Sequence, residues 1–182
     1  KVHRKSLFLS KNYHNFFVGD RRTNGCREIM AIEFPWLIET FGEIQDVSVL
    51  HDKMSRLNID YSDNYMIQVR HDNGNKGTLI IDVVCPKAVR NLEIYAENLY
   101  LVWDGKPSGL KRYGREKGEL KSIHLYDSVN RREGYQETVI ENAYADEIDD
   151  FISAISNNRR QRYGFEKDYR VLEWIDRIEG KL

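Results

Sequence analysis

Hydrophobic and polar residues alternate through the central third of the chain, and the alternation defines a hairpin. Tyr65, Ile67 and Val69 share one face of a strand over 65–71, and Leu79, Ile81 and Val83 share one face of a return strand over 77–85. Between them, Asn73-Gly74 sits in a short polar loop, where both residues tolerate the positive φ that a tight turn demands. The opposite face carries Met66, Gln68, Arg70, Thr78, Ile80 and Asp82, with Val84 beyond, and is neither a core nor a solvent surface. Two further β-rich runs, 90–96 and 99–103, predict a sheet of at least four strands.

The flanking elements follow from the same patterning. A strand is expected over 2–9, with Arg4 and Lys5 available to a polar site, then an irregular loop over 12–25 holding Tyr13, His14, Phe16, Phe17, Arg21 and Arg22. Aromatic and basic residues in one loop suit a clamp on an anionic or sugar ligand, or simply pin the loop to the body. Residues 26–41 have helical spacing at Ile29, Ile32, Trp36, Leu37 and Phe41, and Met30, Phe34 and Ile38 make the segment apolar nearly all round, which predicts a helix buried on most sides. Pro35 inside it predicts a kink or a split near Phe34, and Gly42 predicts its end. A strand over 44–50 follows, and after Trp103 an edge hairpin pairing 110–113 with 122–126. The helix predicted over 140–156 turns Tyr144, Ile148, Phe151, Ile152 and Ile155 inward and stops at Asn157-Asn158. A last helix over 165–180 turns Val171, Leu172, Ile175 and Ile178 inward. Two terminal helices on one face of an open, largely antiparallel sheet make an α+β plan.

Composition narrows the class. A chain of 182 residues suits one domain with a real core, and 41% hydrophobic residues argue against disorder. The net charge of −1 gives no global pull toward nucleic acid or a membrane surface, and no apolar run approaches a membrane span. Cys26 and Cys85 have no zinc or redox spacing; against a single disulfide, the reading is two buried thiols in a reducing cytoplasm. There is no glycine-rich phosphate loop, no Ser-His-Asp order and no HExxH, and the five histidines are scattered.

One titratable residue stands out. Glu33 is spaced four residues from Ile29 and three and four from Trp36 and Leu37, so it shares their stripe. A carboxylate among apolar side chains is costly unless paired, and such groups concentrate at functional sites. The structural alternative is a Glu satisfied by Arg27, Lys5 or a backbone N–H. Arg27 and Glu28, on the shoulder of the same segment, are further candidates or a plain surface pair.

Several stretches in order carry a family resemblance. Thr23-Asn24-Gly25-Cys26-Arg27-Glu28-Ile29-Met30, Trp36-Leu37 and Phe41-Gly42 resemble the first helix of the C-terminal domain of Gfo/Idh/MocA oxidoreductases. The Asp63-Asn64-Tyr65 entry, the Asn73-Gly74 turn, Gly77-Thr78-Leu79, Arg90-Asn91-Leu92-Glu93-Ile94 and Val102-Trp103-Asp104 are similar to that family's strands, and the two closing helices continue the match. The resemblance implies one C-terminal domain over 1–182, preceded in the family by a nucleotide-binding domain absent from this stretch. It implies an excised half of a dehydrogenase rather than a stand-alone relic. NAD or NADP would be bound by that other domain and not by these residues, which would be inactive alone. The open sheet face would join a second copy or shape the substrate pocket.

Where the family often carries Asp-x-x-x-His, this chain has Ile29 and Glu33, so the imidazole is replaced by a carboxylate. The resemblance implies a sugar or nucleotide-sugar hydroxyl as substrate and puts Glu33, the catalytic candidate, where the family keeps its histidine; Lys5, Tyr13, Arg22, Arg27 and Glu28, from the reading of the residues themselves, are the candidate substrate contacts. The alternative is a non-catalytic dimerising interaction domain derived from that family. Partners are thus a homo-oligomer and a small sugar-type molecule, with no nucleic acid and no membrane.

Overall fold

The alternating residues form a three-stranded antiparallel sheet. β1 (Ile44–Asp52), β2 (Asn64–His71) and β3 (Lys76–Asp82) lie in that order. The structure, a computed structural model, describes residues 13–15, 17–130, 133 and 141–182. The strand expected over 2–9, and Lys5 with it, lie outside the described residues. In β2, Tyr65, Ile67, Val69 and His71 are buried while Met66, Gln68 and Arg70 are exposed, the period-two pattern of a sheet with one covered face.

The covering element is α1 (Gly25–Phe41), which packs on β2, β3 and α3 (Phe165–Ile178). Asn24 caps α1, its side-chain oxygen accepting the Arg27 N–H at 2.6 Å. Pro35 does not split the helix, which runs unbroken to Phe41. Its buried stripe is Cys26, Met30 and Phe34, with Ile29 and Ile38 packed beside them; of the residues expected inward, Ile29 meets this core and Ile32 does not. Ile32 is exposed. With apolar residues almost all round, periodicity could not choose the inward face; the neighbouring helix and sheet do. From α3, Val171, Ile175 and Ile178 complete the core, whereas Leu172 points outward.

The β2–β3 turn closes the far end of α1. Gly42, at φ 100°, donates to Ile38 O. Asn73 and Asn75 donate their side-chain amides to Phe41 O at 2.7 and 3.1 Å. These bonds satisfy carbonyls that a helix end leaves unpaired.

β4 (Leu92–Ala96), β5 (Leu99–Trp103), β6 (Lys111–Gly114) and β7 (Glu119–Ser122) form a second antiparallel sheet in sequential order. The four strands expected to share one sheet are therefore divided between two, and the last hairpin returns over Glu119–Ser122 rather than 122–126. The backbone forms two compact units, one containing α1, β1–β3 and α3, the other β4–β7 and α2 (Glu141–Ser156). In α2 the stripe expected to face inward is exposed: Tyr144, Ile148, Phe151, Ile152 and Ile155 all present their side chains to solvent, and only Ala154 is buried. The helix ends as expected, with Asn158 in the left-handed region at φ 48°. The architecture is an open α+β fold of antiparallel sheets and helices.

Candidate functional site

The connector over 53–63, which links β1 to β2, is held by one buried carboxylate. Asp63 is fully buried and accepts the Met54 N–H at 2.8 Å, the Ser55 N–H at 3.2 Å and the Ser55 hydroxyl. Its own N–H reaches Asp52 O. Hydrogen bonds of this number offset the desolvation of the charge. Tyr61 fastens the connector to the start of α1, its hydroxyl donating to Val18 O and accepting from the Gly25 N–H at 3.4 Å. Burial pushes the Tyr61 phenol up to about 12.

Between this connector, the first turn of α1 and the end of α3 opens a cleft of about 440 Å³. Its aromatic wall is His51 lying parallel to Tyr65, with ring centroids 5.0 Å apart and planes 10° from parallel. His51 Nδ1 is 2.8 Å from Ser62 Oγ. Tyr65 is buried beneath His51, and burial raises its phenol to about 12. Its rim carries Arg21 and Asp60, 3.7 Å apart and largely exposed, and Lys53.

Glu179 forms the inner wall, its side chain 5% exposed. It accepts from Asn24 Nδ2 at 2.8 Å, from Lys181 Nζ at 2.6 Å and from Arg27. Arg27 also binds Asp176 at 2.7 Å. Burial works against the Arg27 charge, but hydrogen bonds and the charges of Asp176 and Glu179 outweigh it and hold the guanidinium pKa above its ordinary value. The arrangement suits both helices: a carboxylate stands at the N-terminus of α1 and a guanidinium at the C-terminus of α3.

The residues singled out in the sequence are not gathered into this cleft. Glu33 is half-buried on α1, its Oε2 accepting the Trp36 indole N–H at 2.7 Å. Tyr13 is half-buried, and its hydroxyl accepts the Asn58 N–H at 2.7 Å, tying the aromatic loop to the connector. Arg22 is exposed and paired with Asp20 at 2.7 Å; the hydrogen bonds from Arg22 pull that carboxyl down to about 2. Glu28 is exposed. Arg27 touches the cleft through Glu179. Cys26 is buried as expected, but Cys85 is exposed; both thiols are free. Among the described residues no group of three or more His, Cys, Asp or Glu side chains is placed to hold a metal ion, and no helix is long and apolar enough to cross a membrane.

The cleft itself was missed. His51 reads in the sequence as one of five scattered histidines, and 53–63 as a plain connector. A usable signal was its length: two antiparallel neighbours need only a tight turn, and a longer polar connector between them is a place to look for function.

No protein-family model and no curated protein sequence matches the chain. Solved structures match its fold. UDP-N-acetylglucosamine 3-dehydrogenase from Acidithiobacillus ferrooxidans aligns over 88% of this chain and 46% of its own length, with a TM-score of 0.62 and 19% identity. Levoglucosan dehydrogenase, in complex with NADH and levoglucosan, aligns over 87% of this chain and 48% of its own, with a TM-score of 0.69 and 15% identity. Biliverdin reductase from Synechocystis, in complex with biliverdin and NADP+, aligns over 83% and 44%, with a TM-score of 0.62 and 13% identity. The chain spans about half the length of these structures. At such identities the likeness establishes the fold, which is found in nicotinamide-dependent oxidoreductases acting on sugars and on other substrates.

Every strand pairing among the described residues is antiparallel, so no strand-turn-helix crossover among them presents a phosphate loop. At the N-terminus of α1 the Gly25, Arg27 and Glu28 N–H groups are engaged by Tyr61 and Asn24.

Proposed function

We infer that these residues form the substrate-binding and oligomerising half of an NAD(P)-dependent dehydrogenase acting on a sugar or nucleotide-sugar hydroxyl. The observation that carries the reading is the shared fold, which extends over nearly the whole chain with two sugar dehydrogenases. In this reading the cofactor is held by another domain of the complete oxidoreductase, a division supported by the antiparallel pairing of every strand pair among the described residues. Glu33 is the group for proton transfer at the substrate hydroxyl. The Trp36 indole fixes one of its oxygens at 2.7 Å, so the carboxylate is oriented before a substrate arrives. Tyr13, Arg22, Arg27, Glu28 and Lys5 are proposed substrate contacts. Of these, Arg27 is committed to Asp176 and Glu179 and would act by positioning them.

The test is a substrate screen on the complete oxidoreductase containing this chain, with NAD and NADP supplied separately. Reduction of the nicotinamide by at least one sugar or nucleotide sugar is expected; no reduction by any of them, with the protein folded, overturns the reading.

A second reading, a dimerising interaction domain without catalysis, draws on the open face of the first sheet. Leu50, Met66 and Ile80 are cross-strand neighbours and form an exposed apolar row, flanked by Ser48, Gln68 and Thr78. Val84, expected on that face, packs against the core instead. We propose that a second copy covers this row, a role compatible with either reading. Ile80→Glu should convert a sedimenting dimer to monomer; a wild-type chain that is monomeric at high concentration contradicts it.

A further inference from the structure

We propose that the cleft between the connector, α1 and α3 is a binding site for a planar aromatic carboxylate, its ring laid on His51 and its charge met by Lys53. Such a site lies outside the proposed dehydrogenase reading. It needs no cofactor, and it does not involve Glu33, which does not line the cleft.

The first support is a fixed aromatic platform. Tyr65 is buried and covers one face of His51, with the two planes 10° from parallel, while His51 itself is exposed and lines the cleft. The His51 Nδ1 is 2.8 Å from Ser62 Oγ, which sets the rotation of the ring. The outer face of His51 is thus a flat surface already in place. A second ring can stack on it in the offset geometry that aromatic pairs prefer, and a preset group loses little conformational freedom when the ligand arrives.

The second is where the positive charge lies. The lining carries three cations, Arg21, Lys53 and Lys181, against two carboxylates, Asp60 and Glu179. Lys181 pairs with Glu179 at 2.6 Å, and Arg21 stands 3.7 Å from Asp60. The surplus therefore falls on Lys53, whose amine donates to the neutral Ser55 carbonyl at 3.1 Å. Behind the lining, Arg27 pairs with Asp176, and Asp63 is turned to the amides of the connector. One surplus charge matches a single carboxylate better than a phosphate dianion.

The third is spacing. His51 and Lys53 stand two residues apart at the end of β1, about 6.6 Å between Cα atoms for extended chain, and both line the cleft. A ring stacked on His51 brings its own carboxylate within reach of the flexible Lys53 amine. The cleft, at about 440 Å³, is of the size that small-molecule sites have.

The test is an NMR titration of the isotope-labelled full chain near neutral pH. Three probes are compared: benzoate, benzamide, which lacks the charge, and cyclohexanecarboxylate, which lacks the aromatic ring. Benzoate should produce saturable shifts at His51 and Ser62, with the ring-current signature of a stacked ring at His51. It should bind at least about threefold more tightly than either control. Lys53→Met and His51→Ala should each weaken benzoate about three- to tenfold while the rest of the spectrum keeps its dispersion. Absence of saturable benzoate shifts at these residues overturns the proposal. So does equal binding of benzamide, which removes the role of Lys53, or of cyclohexanecarboxylate, which removes the stack. Because no turnover is read, failure of the dehydrogenase screen and failure of this titration are separate results.

Discussion

The two compact units use their hydrophobic residues in opposite ways. In the unit of α1, β1–β3 and α3, every element gives at least one side chain to a common buried core, in which Met30, Phe34, Ile67 and Ile175 have no exposed surface. In the unit of β4–β7 and α2, every strand side chain is at least partly exposed, and α2 shows solvent the five large apolar residues that its periodicity would bury. Amphipathic patterning identifies the apolar side of an element but not whether anything covers it. Cover comes from tertiary context, and the unit that has it also holds the cleft.

The sharpest way to break this contrast is to cut the same side chain from each unit. Phe34→Ala should cost about 3–5 kcal/mol in denaturant unfolding, because it leaves a cavity in a close-packed core. Phe151→Ala, on the exposed stripe of α2, should stay within about 0.5 kcal/mol. Equal losses would mean that α2 is covered after all.

A smaller loss is expected where polarity rather than packing holds the first unit. Asp63→Ala removes the acceptor of the Met54 and Ser55 amides and should cost about 1–3 kcal/mol. Amide exchange at those two positions should accelerate; unchanged protection there would show that the connector is fixed by other contacts.

Alkaline pH should also act on the first unit. Tyr61 and Tyr65 have folded-state values raised from 10.0 to about 12, chiefly by burial. Between those limits the unfolded chain has released the phenolic protons and the folded chain has kept them, so the folded state binds more protons and stability falls as pH rises. The loss should begin near pH 10 and be complete above about 12. Replacing both residues with Phe should make the profile shallower in that window, leaving the part due to Cys26 and Tyr163, whose values are also raised to about 12; an unaltered slope would assign the whole loss to those other groups.

The smallest perturbation is thiol labelling. Cys85 is exposed and should react rapidly with a disulfide reagent, leaving stability nearly unchanged. Cys26 is buried, and burial together with the nearby Asp63, Asp82 and Glu179 charges pushes its thiol up to about 12, so it should react only on unfolding. Two fast thiols in the native protein would contradict the packing of α1.

How much of this was legible in the chain depends on the range of the interaction involved. The hairpin was readable because period-two alternation and Asn73-Gly74 act locally. The ends of α1 and α2 were readable for the same reason, from Gly42 and Asn158. The inward face of α1 was not, since Ile29, Met30, Ile32 and Phe34 surround the helix and only packing against α3 and β2 selects among them. The break between β3 and β4 was also invisible, because alternation describes each strand without saying which neighbour it pairs with. The cleft was the least legible feature. Asn24, His51, Ser62 and Glu179 come from four separate stretches, and no local spacing brings them together.

The proposed dehydrogenase reading, in which a carboxylate moves a proton at a sugar hydroxyl, rests on Glu33. The direct measurement is turnover of the complete oxidoreductase carrying Glu33→Gln, read beside its melting temperature. The substitution keeps the shape of the side chain and an oxygen for the Trp36 indole but removes the charge. Turnover lower by about a hundredfold or more, with an unchanged melting temperature, is the predicted result. A lower melting temperature with turnover per folded molecule intact would contradict the claim and leave Glu33 as a residue that braces the helix.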